Sequence, residues 1–229
     1  MKIHYWSPFF SKIATIQAVL QSADSLIKYG RKQNYNVSII DAIGEWDEYK
    51  NEINNKINVI KLNKLDYINK IPKGGYIKSR FSYIFIFILN FFKLKKLIRD
   101  EEPDYFIIHL ITSLPIFLSI FFKQKTKIIL RISGLPKINI FRHFFWKLFG
   151  KKIYKITCPT NATYKYLKEK KIFNEEKLLI LKDPIINIRK FSTLSRIKLE
   201  KKFLNKKIIT GIGRLTKQKN FELLINFFS

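Results

Sequence analysis

Residues 1–41 read MKIHYWSPFFSKIATIQAVLQSADSLIKYGRKQNYNVSIID, and the periodicities in this stretch decide the fold. Ile3 to Trp6 is a short apolar run that reads as a strand, followed by a loop at Ser7-Pro8-Phe9-Phe10-Ser11. From Ile13 to Lys32, the apolar residues Ile16, Val19, Leu20, Ala23, Leu26 and Ile27 recur at helical spacing and so share one helix face. Asn36 to Asp41 then reads as a second strand. Strand, helix, strand is a βαβ unit, and the right-handed crossover makes its two strands parallel. The expected fold class is therefore α/β, a Rossmann-like parallel sheet flanked by helices.

The alternation continues along the chain. Asn58 to Leu62 is a candidate strand, and Tyr76 to Arg99 a long helix, apolar first and basic later. Asp104-Tyr105-Phe106-Ile107-Ile108-His109 is continuously apolar before ending on a polar residue, the pattern of a strand buried on both faces. Lys127 to Ile132, Lys152 to Cys158 and Lys177 to Leu181 read as further strands. Asn161 is expected to cap a helix running to about Lys171. After Asp183-Pro184 the texture changes, and Ile185 to Lys206 suits a basic connection containing a short helix. Lys207 to Arg214 then reads as a new strand entering a glycine-bearing loop, with a helix from Asn220 to Phe228. One strand, a loop and a helix cannot bury a core of their own. The expected organisation is a domain at 1–186, a connection at 187–205, and the truncated start of a second Rossmann-like domain at 206–229.

Charge is the compositional outlier. Lys and Arg number 44 against 17 Asp and Glu, a formal charge of +27. Such an excess suits nucleic acid, an anionic membrane surface or a phosphorylated substrate. It also suits codon bias, because the chain is crowded with Lys, Ile, Asn, Phe and Tyr, so charge alone selects no partner. The single cysteine, Cys158, excludes an internal disulfide and any cysteine-based metal site, and reads as a small core residue. The N-terminus lacks the apolar stretch of a signal peptide. Phe81 to Phe92 and Leu110 to Phe122 are the most apolar segments, each shorter than the ~20 residues that cross a bilayer. A cytoplasmic protein is expected, with the inner face of the plasma membrane as a place of contact.

The segment Gly211-Ile212-Gly213-Arg214-Leu215-Thr216-Lys217-Gln218-Lys219-Asn220-Phe221 carries the most chemistry. A strand delivers a flexible glycine, then a guanidinium, then a lysine at a helix start. Helix N-termini attract anions. Arginine offers phosphate a planar fork and lysine a mobile point charge. The set suits a diphosphate, or else is a surface loop of a lysine-rich chain.

Gly213-Arg214-Leu215, with Lys219 following, resembles the G-R-L-x-x-x-K-G element of family 4 retaining glycosyltransferases, which have the two-domain GT-B fold. The resemblance implies that Gly213, Arg214 and Lys219 bind the diphosphate of a nucleoside diphosphate sugar, and that 1–186 is the acceptor-side domain. Asn220 replaces the family's usual glycine, and asparagine also tolerates the left-handed conformation. Asp183-Pro184 is similar to the element closing the first domain in these enzymes. The glycine pair often found in the first strand-to-helix loop is absent, with Ser11, Lys12, Ile13 and Ala14 in its place.

His109, at the carboxyl end of a buried strand, lies where ligands bind in open parallel sheets. The resemblance implies that it contacts donor sugar or acceptor near the reaction centre; the alternative is a histidine capping a neighbouring helix. Arg131, in Arg131-Ile132-Ser133-Gly134, faces the same edge and either binds acceptor phosphate or pairs with a carboxylate. Ser11, Lys12, Arg131 and Ser133 are the acceptor-binding candidates. No metal and no cofactor are expected beyond the nucleotide sugar as donor substrate.

Ile140 to Ile156 interleaves aromatics with cations and, like Tyr76 to Arg99, reads either as an interfacial helix or as a core-facing helix with snorkelling lysines. The expected activity is transfer of a sugar to a cell-surface polysaccharide, a lipopolysaccharide or a lipid-linked glycan. The family's E-x7-E element would fall after Ser229, so little or no activity is expected of the chain as given. The competing function is a basic module binding membrane or nucleic acid without catalysis. No zinc-finger, basic-zipper or RNP motif supports the nucleic-acid version, and no nucleic-acid partner is expected.

Overall fold

The computed structural model describes residues 1–30, 34–72, 76–184, 186, 188–197, 207–213, 215 and 219–228. They divide into two compact units, Met1–Ile185 and Ile186–Ser229. The first unit is a seven-stranded, wholly parallel sheet. In chain order its elements are β1 (Lys2–Trp6), α1 (Ala14–Tyr29), β2 (Asn36–Asp41), β3 (Asn58–Lys61), α2 (Tyr76–Glu101), β4 (Tyr105–Ile108), α3 (Ser113–Phe121), β5 (Lys127–Arg131), α4 (Ile140–Lys152), β6 (Lys155–Cys158), α5 (Asn161–Glu169) and β7 (Leu178–Ile180). The spatial order is β3-β2-β1-β4-β5-β6-β7.

The chain first winds outward from β1 to β2 and β3, then returns through α2 to place β4 on the other side of β1. The strand order therefore reverses between β1 and β4, the place where open α/β sheets bind ligands. Register is set by alternating burial: Ile3, Tyr5 and Ile39 pack with Ile16, Val19 and Ala23 of α1 in one core. Trp6, Ile40, Phe106 and Ile108 pack with Ile86 and Leu94 of α2 and Phe149 of α4 in the other. Right-handed crossovers explain this division, because winding in opposite directions puts the helices on opposite faces.

Three sequence expectations change in the structure. The cap of α5 is Thr160, whose hydroxyl accepts from the Thr163 N–H at 3.2 Å, and Asn161 is the first helical residue. The segment Ser113–Phe121, which carries no predicted helix, forms α3; Pro115 is tolerated because it falls in the first turn, where an N–H has no intrahelical partner. Lys207 to Gly213, expected to begin a strand, is without regular structure among the described residues, since a strand needs a neighbour to receive its hydrogen bonds. The second unit contains α6 (Ile188–Ser195) and α7 (Phe221–Phe228).

Candidate functional site

Beyond the carboxyl ends of β4 and β5 lies a cavity of about 610 Å³. His109 enters it one residue past β4. Its backbone N–H donates to the Trp6 carbonyl at 3.0 Å, prolonging the β1–β4 ladder by one rung and holding the imidazole at the switch point. The side chain is 5% exposed, and both ring nitrogens are buried without a hydrogen-bond partner among the described residues. Burial, and next the positive charge of Arg131, holds the imidazole well below its ordinary pKa. It is therefore neutral near pH 7, with one nitrogen able to donate and the other to accept. Buried polar groups are nearly always paired; the rings of His109 and His4 are both exceptions, and of the two only His109 lines the cavity.

The loop after His109 is tightly held. The Trp6 indole N–H donates to the Ile111 carbonyl at 3.0 Å. Ile111 has φ +47°, a left-handed conformation that opposes a β-branched side chain by roughly 1–2 kcal/mol. The turn delivers Thr112 and Ser113 to the cavity wall at the start of α3. Thr112 makes no side-chain capping bond, so the first N–H groups of α3 have no intrahelical acceptor and no cap. Such a terminus carries partial positive charge.

Arg131 closes the site from β5. Its Nη2 donates to Asp183 Oδ1 at 2.5 Å and its Nη1 to Ser22 Oγ at 3.0 Å. Ser22 in turn hydrogen-bonds the Tyr5 hydroxyl at 2.9 Å. Of the two readings of Arg131, carboxylate pairing is present, and the residue also lines the cavity with Ser133. Two cationic residues from helices complete the wall: Arg80 of α2 and Arg142 of α4. Arg142 donates to the Lys137 carbonyl at 2.6 Å and lies 5.7 Å from the Trp146 ring centroid. Three arginines and no carboxylate line the cavity, beside Tyr83, Phe87, Phe145 and other apolar groups. A cavity of one sign raises the local concentration of anions, and the aromatic wall suits the apolar faces of a ring.

His109, Arg131 and Ser133 are thus brought together as expected from their strand ends. Ser11 and Lys12 are not: both are exposed on the β1–α1 loop outside the cavity, and Lys12 pairs with Glu48 at 3.5 Å. Arg80 and Arg142 were missed by sequence reasoning, since their only local signal was membership of basic, apolar helices. In the second unit, the Lys219 stem passes 3.3 Å from the place a Cβ on Gly213 would occupy, so glycine allows the lysine to lie across the backbone. Asn220 has φ +46°, the left-handed geometry asparagine tolerates, and its carbonyl accepts the Leu224 N–H of α7 at 3.4 Å. Arg214 lies outside the described residues. Among the described residues no group of three His, Cys, Asp or Glu is placed to hold a metal ion.

Neither a protein-family model nor a curated protein matches the chain. Its fold is nevertheless that of known proteins. It superposes on a UDP-GlcNAc 2-epimerase of Neisseria meningitidis bound to UDP-GlcNAc with a TM-score of 0.55 at 16% identity, over 86% of this chain and 51% of that one. A glycosyltransferase of Rickettsia africae gives 0.54 at 13% identity, over 84% and 48%. Phytolacca americana UGT2, complexed with UDP-2-fluoro-glucose and pterostilbene, gives 0.51 at 10%, over 85% and 57%. What these likenesses show is the fold, the Rossmann-like parallel sheet flanked by helices that these glycosyltransferases and epimerases share with this chain. The chain spans about half the length of these solved structures.

Proposed function

We propose that this chain is the acceptor-side part of a family 4, retaining glycosyltransferase that moves a sugar from a nucleoside diphosphate sugar to a cell-surface polysaccharide, a lipopolysaccharide or a lipid-linked glycan. The observation that carries the reading is His109, a neutral imidazole with two unpaired nitrogens in an arginine-lined cavity at the sheet's switch point. A sugar hydroxyl both donates and accepts, so it can pair with either nitrogen of such a ring without a change of charge. Arg80, Arg131 and Arg142 favour an acceptor that carries phosphate, and Ser133 supplies a further hydroxyl at the wall. Gly213, Arg214 and Lys219 hold the donor diphosphate, and the positive charge of Arg214 and Lys219 stabilises the anion that departs as the sugar transfers.

The test is a surface-glycan mass profile of the source cell with and without the gene. Loss of one sugar unit is expected on disruption, with restoration by a wild-type version that also encodes the donor-side domain and not by the same version carrying His109→Ala at equal protein level. Unchanged glycan masses overturn the reading. Conversion of a nucleotide sugar into its epimer by the purified protein, with no acceptor present, would replace it.

A further inference from the structure

Helix α2 is apolar on opposite sides. Ile86, Leu94 and Ile98, with Ser82 and Asn90, form a row buried toward the sheet. Ile77, Phe81, Ile84, Ile88 and Phe92 form a second row, and each of these is between 56% and 76% exposed. A helix apolar all round belongs in an apolar environment on both sides, not half in water. Helix α4 presents the same problem: Ile140, Phe141 and Phe144 are 86%, 78% and 59% exposed. Both helices pack in the same core on one side of the sheet, and residues of both line the His109 cavity.

The charges around these rows are of one sign. Lys78, Lys93 and Lys96 are exposed on α2, as are Lys147, Lys151 and Lys152 on α4. Helix α2 holds no acidic residue before Asp100, and α4 holds none. Lys95 lies with its ammonium 3.8 Å from the Phe122 ring centroid, a cation resting on an aromatic surface.

We propose that the α2–α4 face docks on an anionic lipid bilayer, with the exposed aromatic and aliphatic rows among the headgroups and the lysines on lipid phosphates. The helices lie on the membrane and do not cross it. The uncharged run Phe81–Phe92 is about 18 Å long at 1.5 Å per residue, well short of the ~30 Å hydrocarbon core. Among the described residues no helix is long and apolar enough to span. A second copy of the chain would set lysine against lysine with no acid between them. Nucleic acid would match the lysines and leave the exposed phenylalanines in water. A bilayer surface meets both demands, since long lysine stems follow mobile phosphates while rings sink beneath them. The proposal stands independently of the sugar-transfer reading.

Vesicle flotation of the full chain tests it, comparing phosphatidylcholine alone with equal parts phosphatidylcholine and phosphatidylglycerol. Binding is expected only to the anionic vesicles and to weaken with salt. The triple variant Phe81→Ser, Ile88→Ser, Phe141→Ser should lower it at least about tenfold while leaving the circular dichroism spectrum unchanged, because these side chains are exposed in the fold. A second variant, Lys78→Gln with Lys96→Gln, keeps the apolar rows and should weaken binding by about fivefold per lysine. Equal binding to neutral vesicles, no binding to either, or binding unaffected by both variants would overturn the proposal. So would a dimer, seen by light scattering, that the serine variant dissociates, or tighter retention by duplex DNA than by anionic vesicles.

Discussion

Arg131 and Asp183 form an ion pair at 2.5 Å that ties the end of β5 to the segment leaving β7, with Ser22 of α1 as a third member. The arginine is 5% exposed and the aspartate side chain 18%. A charge this buried, stripped of its partner, destabilises by about 3–5 kcal/mol. Asp183→Ala, which strands the guanidinium, should therefore lower the free energy of urea unfolding more than Arg131→Met, which removes the buried charge and fills its volume. Equal losses would show that the pair contributes nothing beyond packing.

His109 should reveal its role through stability. Its two buried, unpaired nitrogens disfavour the fold, each by up to about 1–3 kcal/mol. His109→Leu is expected to raise the urea midpoint while abolishing complementation of the glycan phenotype. Functional residues are the ones whose removal stabilises. A variant less stable than wild type would mean the imidazole has a partner in the folded chain.

Two histidines set an acid limb. His4 and His109 are both held below their ordinary pKa, first by burial. In the unfolded chain imidazoles bind protons near ~6.5 that the folded state refuses. Stability is then intact above that pH and falls as pH drops below it toward the folded values. Melting temperatures at pH 7.5 and pH 5 should show the fall, and His109→Leu should shrink it. An unchanged drop in that variant would assign the limb to other groups.

Glu45 acts with the opposite sign. Its carboxylate oxygens accept the N–H groups of Ala42 at 3.1 Å and Ile43 at 2.7 Å, while burial and then the neighbouring Asp41 push its pKa well up. The fold holds a proton that the unfolded chain gives up near ~4.3, so this site loses stability as pH rises through its folded pKa. Glu45→Gln stays neutral and keeps one acceptor. Its stability relative to wild type should improve steadily from pH 5 to pH 8. A difference that does not vary with pH would place the proton elsewhere.

Much of the frame was legible from local pattern. The run Asn36–Asp41 is a strand with the expected limits, the helical spacing from Ile16 to Ile27 lies within α1, and α2 starts at the expected Tyr76 and runs two residues past Arg99. That His109, Arg131 and Ser133 would share one wall was legible because parallel strands deliver their carboxyl ends to one edge. Asn220 adopts the left-handed turn that its identity allows. The helix α3 was illegible because Ser113–Phe121 is apolar on every side and contains Pro115, so no periodicity marked it.

Strand order, the convergence of Arg80 and Arg142 on His109, and the exclusion of Ser11 and Lys12 from the cavity belong to the tertiary structure alone. So do the pairing of Arg131 with Asp183, 52 residues apart, and the exposure of one apolar row of α2 while the opposite row is buried. The physical reason is one of range. Hydrophobic period and turn chemistry act over neighbouring residues and specify which elements form. Which side chains meet, and which apolar faces are left uncovered, depends on how the parallel strands are ordered and on which face each crossover lays its helix.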